Sequence, residues 1–429
     1  MKKYRGSKRV TAIKWVSMVV VALAFFIVQF HRNTPSVMRD ELMAVFHMNA
    51  TSFGLFSSMY FYPYMLAQIP VGMMLDALGA RKTIGLCSML AAVGAFIFGV
   101  SSVYPVACIG RILIGVGVAA PVISTQSFLL KWVGQTKAAS YYGIFSFCGK
   151  LGGMCAQLPL AWLVAHLNWR TVFFLCAGVS LVIALLCFLL VKDSPEECLA
   201  RKGSRPDRPA PALKDLFRAM GKVFSNRRVW MMMAVMFIQQ ALYGLFSSTW
   251  AVPYLQDVFG LSKIEASSYT TLMLVGAMVF SLAVGTVSDR LKSRRTVIAA
   301  VCVVMGLVWA LLAFCGNAMM ASHMMWPLMF LMGATGAGVQ IMFAYSREMN
   351  DPNYVGVAVS SINMVGMLGS AVAPTVFGAM LDKWSAAGYL GADLYRRCFI
   401  PCIALSVLAL VLTLLSRDTG CRNCYGDKK

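Results

Sequence analysis

The chain has 429 residues, of which 59% are hydrophobic and only 13% charged, with a mean hydropathy of +0.71. A soluble protein of this length would be about a quarter charged, so the composition excludes a soluble globular enzyme and points to an integral membrane protein. The net charge of +21 would suggest nucleic acid in a soluble chain. Here 29 of the 38 Lys and Arg lie in the termini and alternate loops, 6 in the other loops and 3 inside apolar segments. That bias orients a membrane protein and requires no nucleic-acid partner.

The basic start, Lys2, Lys3, Arg5, Lys8 and Arg9, runs into an apolar segment with no small-residue cleavage site, which predicts a retained first span. A span of the ~30 Å hydrocarbon core takes ~20 mostly apolar residues. Twelve such segments follow in order: 15–44, 51–75, 82–102, 105–129, 138–164, 169–191, 230–256, 266–287, 294–314, 323–346, 354–381 and 396–416. The hydrophilic stretch from Lys192 to Arg228 divides them six and six.

The expected fold is an all-α membrane protein with 12 transmembrane helices in two six-helix, pseudo-symmetric bundles. Its expected parts are an N-terminal bundle over 1–191, a linker over 192–229, a C-terminal bundle over 230–416 and a tail over 417–429. In the linker, Arg205-Pro-Asp-Arg-Pro-Ala-Pro cannot be regular helix. Leu213, Leu216, Phe217, Met220, Val223 and Phe224 follow at helical spacing among bases, as in an amphipathic helix on the inner leaflet. The basic connections place both termini in the cytoplasm and, for a bacterial chain, the protein in the inner membrane.

Between the second and third segments lies Gly72-Met-Met-Leu-Asp76-Ala-Leu-Gly79-Ala-Arg81-Lys82. Its twin is Gly285-Thr-Val-Ser-Asp289-Arg290-Leu-Lys292-Ser-Arg294-Arg295, 213 residues downstream. Val45-Phe46 and Val258-Phe259 repeat at the same offset. A duplication at about half the chain length makes each six-span half a repeat.

Ionisable groups in apolar spans cost about 2.5–3.5 kcal/mol each, so those present carry information. Three cations fall inside spans, Arg32, Arg111 and Lys150, and all 17 Asp and Glu lie in loops, tails or span ends. Cations in a cavity without acids call for an anion from outside. Arg32 sits in His31-Arg32-Asn33-Thr34, near the middle of a first span that stays helix-compatible to Phe46 apart from Pro35. Lys150 sits among glycines in Gly149-Lys150-Leu-Gly152-Gly153. Arg111, in Gly110-Arg111-Ile-Leu-Ile-Gly115-Val-Gly117, suits a structural role among closely packed helices, hydrogen-bonding neighbouring carbonyls. Polar and aromatic stripes at helical spacing mark candidate cavity faces. They are Gln29, Arg32 and Ser36; Tyr60, Tyr64 and Gln68; Ser146, Lys150 and Gln157; Gln239, Tyr243, Ser247 and Trp250; and Asn363.

Other chemistry is absent. The four His are dispersed, there is no Ser-His-Asp arrangement, and no Gly-rich loop with Lys and Ser/Thr that would cradle a phosphate. Cys421-x-x-Cys424 lacks a second pair or a nearby His. The expectation is a non-enzyme without cofactor or metal. Its partners are a small-molecule solute and the lipid bilayer, and it acts as a monomer.

Twelve spans in two halves, the Gly72–Lys82 motif with its Gly285–Arg295 copy, and Gly110-Arg111-x3-Gly115-x-Gly117 resemble the major facilitator superfamily over essentially the whole chain. Ala77 stands where that motif usually has a base. The resemblance implies alternating access through a central cavity. It also implies that Asp76 and Asp289 latch a cytoplasmic gate, with Gly72, Gly79, Arg81, Gly285 and Arg294 framing the turns. Arg32-Asn33, then Phe53-Gly54-Leu55, look like the organophosphate and sugar-phosphate permeases. Those use a second Arg on span 7, where this chain has Gln239 to Tyr243. Gly110–Gly117, Lys131-Trp132 and Gly149-Lys150-Leu-Gly152 look like lysosomal dipeptide transporters. Those carry a span-4 acid where this chain has Ala119 or Ala120. Anion:cation symporters are a third relative. The expected function is transport of a small organic anion bearing a carboxylate or phosphate. A dipeptide transporter, a drug or metabolite exporter and a transporter-like sensor stand as alternatives.

Overall fold

The structure is a computed structural model. It describes residues 8–195, 197, 218, 221–351 and 355–425, with the side chains of 135–140, 228 and 355 excepted. The described residues are almost wholly helical and contain no strand. The helices are α1 (Lys8–Val37), α2 (Arg39–Phe46), α3 (Ala50–Ser58), α4 (Phe61–Val100), α5 (Tyr104–Gly117), α6 (Ala119–Val133), α7 (Gln135–Cys155), α8 (Leu158–His166) and α9 (Trp169–Leu190). They continue with α10 (Arg227–Leu245), α11 (Ala251–Phe259), α12 (Lys263–Leu291), α13 (Arg294–Ala321), α14 (Met325–Thr335), α15 (Gly338–Met349), α16 (Val355–Ala386) and α17 (Gly391–Leu415).

Among the described residues, eleven helical stretches are long and apolar enough to cross a membrane, and one of them, Ala50–Val100, is 51 residues long. At ~1.5 Å per residue it exceeds twice the hydrocarbon thickness. It is broken inside α4 at Gly79, whose φ of 79° and ψ of 169° are non-helical. Two spans therefore meet at that glycine, and the crossing segments among the described residues number twelve. The first span differs from its expected extent. Its described part, Lys8–Val37, ends at Val37 and is followed by the separate helix α2, because Pro35 and the Met38 N–H to Pro35 carbonyl bond (3.1 Å) close a turn there. Arg32 thus lies near the end of α1, not in the middle of a longer span. Of the linker residues, Leu213, Leu216, Phe217 and Met220 lie outside the described residues, as does Arg205-Pro-Asp-Arg-Pro-Ala-Pro. Val223 is buried, and the Phe224 ring packs edge-on to Trp230 at 6.5 Å.

The 213-residue repeat extends to the helix ends. His47 and Gly260 each close a helix in the left-handed region, with φ of 50° and 65°. Two residues on, Asn49 and Ser262 each cap the next helix, accepting from the N–H of Ser52 and Glu265. Gly79 and Lys292 both take positive φ, 79° and 49°, at the same repeat position.

The chain forms two compact units. One comprises Met1–Thr34 and Tyr62–Pro211; the other comprises Pro35–Phe61 and Ala212–Lys429. The segment 35–61, which the repeat assigns to the first half, packs in the second unit. The reason lies in α3 and α16. A Cβ on Gly54 would come within 2.2 Å of the Pro374 carbonyl oxygen, and one on Gly378 within 2.2 Å of the Ala50 oxygen, so these helices touch backbone to backbone. In the first unit Gly152 plays the same part, 2.0 Å from the Phe26 oxygen by the same measure.

Candidate functional site

In the first unit, α1, α4, α6 and α7 bring a set of polar side chains together. Arg32 and Lys150 are half-buried. Tyr64 is buried, lies near Gln68, and is within electrostatic range of Arg32 and Tyr142. Tyr142 lies near Gln126 on α6. The Tyr142 ring stands edge-on to Phe25 at 6.1 Å. Phe25 and Gln29 in turn lie against Gly149, where an added Cβ would meet the Phe25 ring at 2.6 Å and Gln29 Cγ at 3.4 Å. Lys150 is the next residue. The Nε2 of Gln68 is buried and makes no hydrogen bond. Arg32, Lys150, Gln29, Tyr64 and Gln68 were legible from the sequence. Gln126 and Tyr142 were not, because a single amide and a single phenol on separate spans carry no spacing signal.

Arg111 is 1% exposed, and its Nη1 donates to the His31 carbonyl at 3.1 Å. Pro35, four residues beyond His31, has no N–H to fill that acceptor. His31 Nε2 is 3.4 Å from the Ser180 hydroxyl. Gly115 is buried in the same helix as Arg111.

The remaining predicted residues lie in the second unit. Tyr60 is buried against Phe61. Trp250 is enclosed by Phe53 and Phe377, with ring centroids at 5.5 and 5.6 Å, and its Nε1 donates to the Pro374 carbonyl at 3.3 Å. It closes a π-helical turn, Phe246–Trp250, between α10 and α11. Tyr243 packs on Gly336, Gln239 donates to Cys302 Sγ at 3.3 Å, and Asn363 is half-buried on α16.

The two loop motifs share one construction. The Arg81 N–H donates to Asp193 at 2.7 Å, and the Arg294 N–H donates to Asp418 at 3.1 Å. Beside them the Trp132 Nε1 donates to the Lys192 carbonyl at 2.9 Å, and the Tyr345 hydroxyl to the Arg417 carbonyl at 3.0 Å. A carboxylate just past the last span of each unit thus accepts from the backbone N–H of the first base in the motif's closing pair, at the start of the helix that follows. The Arg294 guanidinium also pairs with Asp289 (2.7 Å) and Glu348 (2.8 Å), while Arg81 pairs with Glu197 at 3.5 Å. Asp76 is exposed and Gly72 and Gly285 have open space above them. Cys421 and Cys424 are free thiols, and the described residues include no cluster of three metal-binding side chains.

The segment 35–61 is fixed in its unit by carboxylates. Arg39 binds both oxygens of Asp257, at 2.5 and 2.6 Å, and Lys263 pairs with Glu41. Asp382 accepts from the Ala50 and Thr51 N–H groups at 3.1 and 2.8 Å and from the Thr51 hydroxyl. Asp257 also accepts from the Tyr395 hydroxyl at 2.7 Å. A recess of about 430 Å³ opens there, lined by Arg39, Asp40, Asp257, Asp382 and Tyr395 among others.

A family model described as Major Facilitator Superfamily matches residues 21–374 and, in a second overlapping match, 237–421. A probable sulfoacetate transporter of Cupriavidus necator is 24% identical over 380 residues, covering 85% of this chain and 86% of the relative. The hexuronate transporter of Bacillus subtilis is 23% identical over 418 residues, covering 93% and 94%. Among solved structures, a bacterial homologue of the human lysosomal transporter Spinster superposes with a TM-score of 0.73 at 17% identity, covering 96% of this chain and 98% of that one.

Proposed function

This chain belongs to the Major Facilitator Superfamily, and from that premise we propose that it carries a small organic anion, bearing a carboxylate or a phosphate, by alternating access. One observation supports this above the others. Arg32 and Lys150 lie half-buried in one unit whose described spans hold a single carboxylate, Asp76, at the Gly79 turn. An anion beside these cations supplies a favourable Coulomb interaction that is strengthened by their burial. A dipeptide's amine or a cationic drug needs an acid, which this cluster does not provide. The sulfoacetate and hexuronate relatives are both named for anions. Tyr60, Tyr243, Trp250 and Asn363 contribute to solute passage, and the Gly72–Arg81 and Gly285–Arg294 turns, with Asp76 and Asp289, act as gating elements. The chain works as a monomer with both termini in the cytoplasm.

The test is uptake by the purified protein in liposomes. Wild type takes up labelled organic anions. Arg32→Gln and Lys150→Gln each abolish uptake while expression and monodispersity stay at wild-type levels. Uptake confined to neutral sugars or cationic dyes, or normal uptake by both variants, overturns the assignment.

A further inference from the structure

We infer that Cys421 and Cys424 form an oxidisable dithiol, a site for exchange with a small disulfide such as glutathione disulfide, and that closing it frees residues 417–425 from the Gly285–Arg295 turn.

The tail beyond α17 is stitched to three helix ends of its own unit. At α15, the Tyr345 hydroxyl donates to the Arg417 carbonyl at 3.0 Å, the Thr419 hydroxyl donates to Glu348 Oε2 at 2.5 Å, and the Cys424 N–H donates to the Glu348 carbonyl at 2.7 Å. The Asn423 amide donates to the Asn350 carbonyl at 3.2 Å. At the start of α13, Asp418 accepts from the Arg294 N–H at 3.1 Å and from the Ser293 hydroxyl. At the end of α12, Cys421 Sγ donates to the Ser288 carbonyl at 3.5 Å. Glu348 in turn holds the Arg294 guanidinium, which pairs with Asp289. The tail thus packs around the charge cluster of that turn.

The two sulfurs face different ways. Cys424 is 4% exposed, and its Sγ donates to the Thr419 and Arg422 carbonyls, on either side of Cys421, both at 3.4 Å. Cys421 is half-buried, its sulfur drawn away to α12 and its backbone at a φ of 60°, in the left-handed region that favours glycine. A disulfide sets two sulfurs ~2.05 Å apart and leaves neither with a proton. Closing it pulls the Cys421 sulfur toward Cys424, and the Ser288, Thr419 and Arg422 carbonyls lose a donor together. Buried cysteines also serve as small apolar fillers, so oxidation and docking have to be read in the same sample.

The exchange balances without a further reagent. The Cys421 thiolate attacks one sulfur of glutathione disulfide, breaks its S–S bond and releases one glutathione thiolate. The Cys424 thiolate then attacks the Cys421 sulfur of the mixed disulfide and releases the second. The two thiols lose two protons and two electrons, and glutathione disulfide is reduced to two glutathione molecules. Burial pushes the Cys421 thiol up; Arg294 opposes this, and Glu348, Asp289 and Asp418 reinforce it. The thiolate is the attacking form, so the docked tail resists exchange and the released tail undergoes it. The disulfide then holds open what a fluctuation has opened.

Purified full-length protein is incubated with glutathione or with glutathione disulfide, alkylated and mapped by peptide mass, and hydrogen exchange is followed on the same samples. The Arg294 amide, at a helix start where N–H groups lack partners within the helix, and the Cys424 amide report docking. Glutathione disulfide is expected to make the peptide spanning 421–424 lighter by two hydrogens. It should also speed exchange of both amides about tenfold, the value of one lost hydrogen bond. Dithiothreitol should reverse both changes. With Cys421→Ser and Cys424→Ser combined, hydroxyls replace the thiol donors, and exchange should keep the reduced wild-type rate under either treatment. A peptide that never closes overturns the dithiol, and one that closes with exchange unchanged overturns the release. Equal acceleration in the double variant assigns the effect to other cysteines and overturns both. The wild-type readings decide by themselves if the double variant does not fold.

Discussion

Arg111 donates to the carbonyl oxygen of His31 at 3.1 Å, and that oxygen is the acceptor Pro35 leaves empty in the first helix. The guanidinium thus repairs a helix that a proline has opened. Removing it leaves a buried carbonyl unpaired, a loss of about 1–3 kcal/mol. Arg111→Gln is expected to lower the thermal midpoint by that measure. Pro35→Ala in the same background should recover part of it, since residue 35 then supplies an N–H. A double-mutant cycle on purified protein reads the coupling, and strict additivity would contradict the account.

Arg39 and Asp257 are 218 residues apart and joined by two hydrogen bonds. The pair is charge-assisted and two-pronged, but the Asp257 side chain is 36% exposed, which trims its worth to about 1 kcal/mol. Arg39→Gln or Asp257→Asn is expected to speed hydrogen exchange across α2 and α3. The reversed pair, Arg39→Asp with Asp257→Arg, should restore protection. No change in exchange on breaking the pair would mean that the Lys263–Glu41 pair, Asp382 and the Gly54 and Gly378 contacts hold the segment without it.

Gly79 and Gly72 belong to the same motif and should respond differently. A Cβ at Gly79 would fall 2.1 Å from Asp193 Oδ2, at a φ of +79°, while one at Gly72 meets nothing within 4 Å. Gly79→Ala is expected to cost about 1–3 kcal/mol in the thermal midpoint, and Gly72→Ala almost nothing. If Gly72→Ala nevertheless slows transport in a stably folded protein, its role lies in another state of the cycle.

The two capping carboxylates should answer acid in opposite senses. Burial pushes Asp418 up, but the Ser293 hydroxyl and the backbone N–H groups of Gly420 and Arg294 outweigh it and hold Asp418 below its ordinary value. Its contribution is present above the ordinary carboxylate pKa and is lost as pH falls through the lower folded value. At Asp193 burial dominates over the Arg81 N–H and raises the pKa. The charged form is then penalised near neutrality, and the penalty is relieved as pH falls through the raised value. Asp418→Asn should therefore destabilise at pH 7, with the difference from wild type shrinking in acid. Asp193→Asn should be neutral or stabilising at pH 7. Thermal midpoints from pH 7 down to 3 in detergent test both signs.

The spans and the duplication were legible because both are written in length and spacing, which a membrane enforces everywhere. Gly79 was legible as a turn residue, though not the contact with Asp193 that forbids a side chain there. The cap pairs at 47 and 260 and at 49 and 262 hid in plain sight: His stands for Gly and Asn for Ser, so geometry repeats where letters do not. The allegiance of residues 35–61 could not be read at all. It depends on Arg39 finding Asp257, on Asp382 finding the start of α3, and on two glycines placed more than 300 residues apart. Trp250 was legible as an aromatic from its spacing on span 7, but its ring contacts with Phe53 and Phe377 were not, because Phe53 comes from that same segment.

That segment makes the molecule interlaced. The chain passes from one unit to the other at 34–35, again at 61–62, and a third time at 211–212. A protein severed in the last of these stretches would yield two fragments, and the first would still own an arm folded into the second. Phe53 and Phe56 on that arm are 0% exposed, so the fragments have an apolar surface to share. Co-expressed, they should purify as one particle, as arm-exchanged dimers do. Expressed alone, residues 212–429 would lack a helix that their own core is built around.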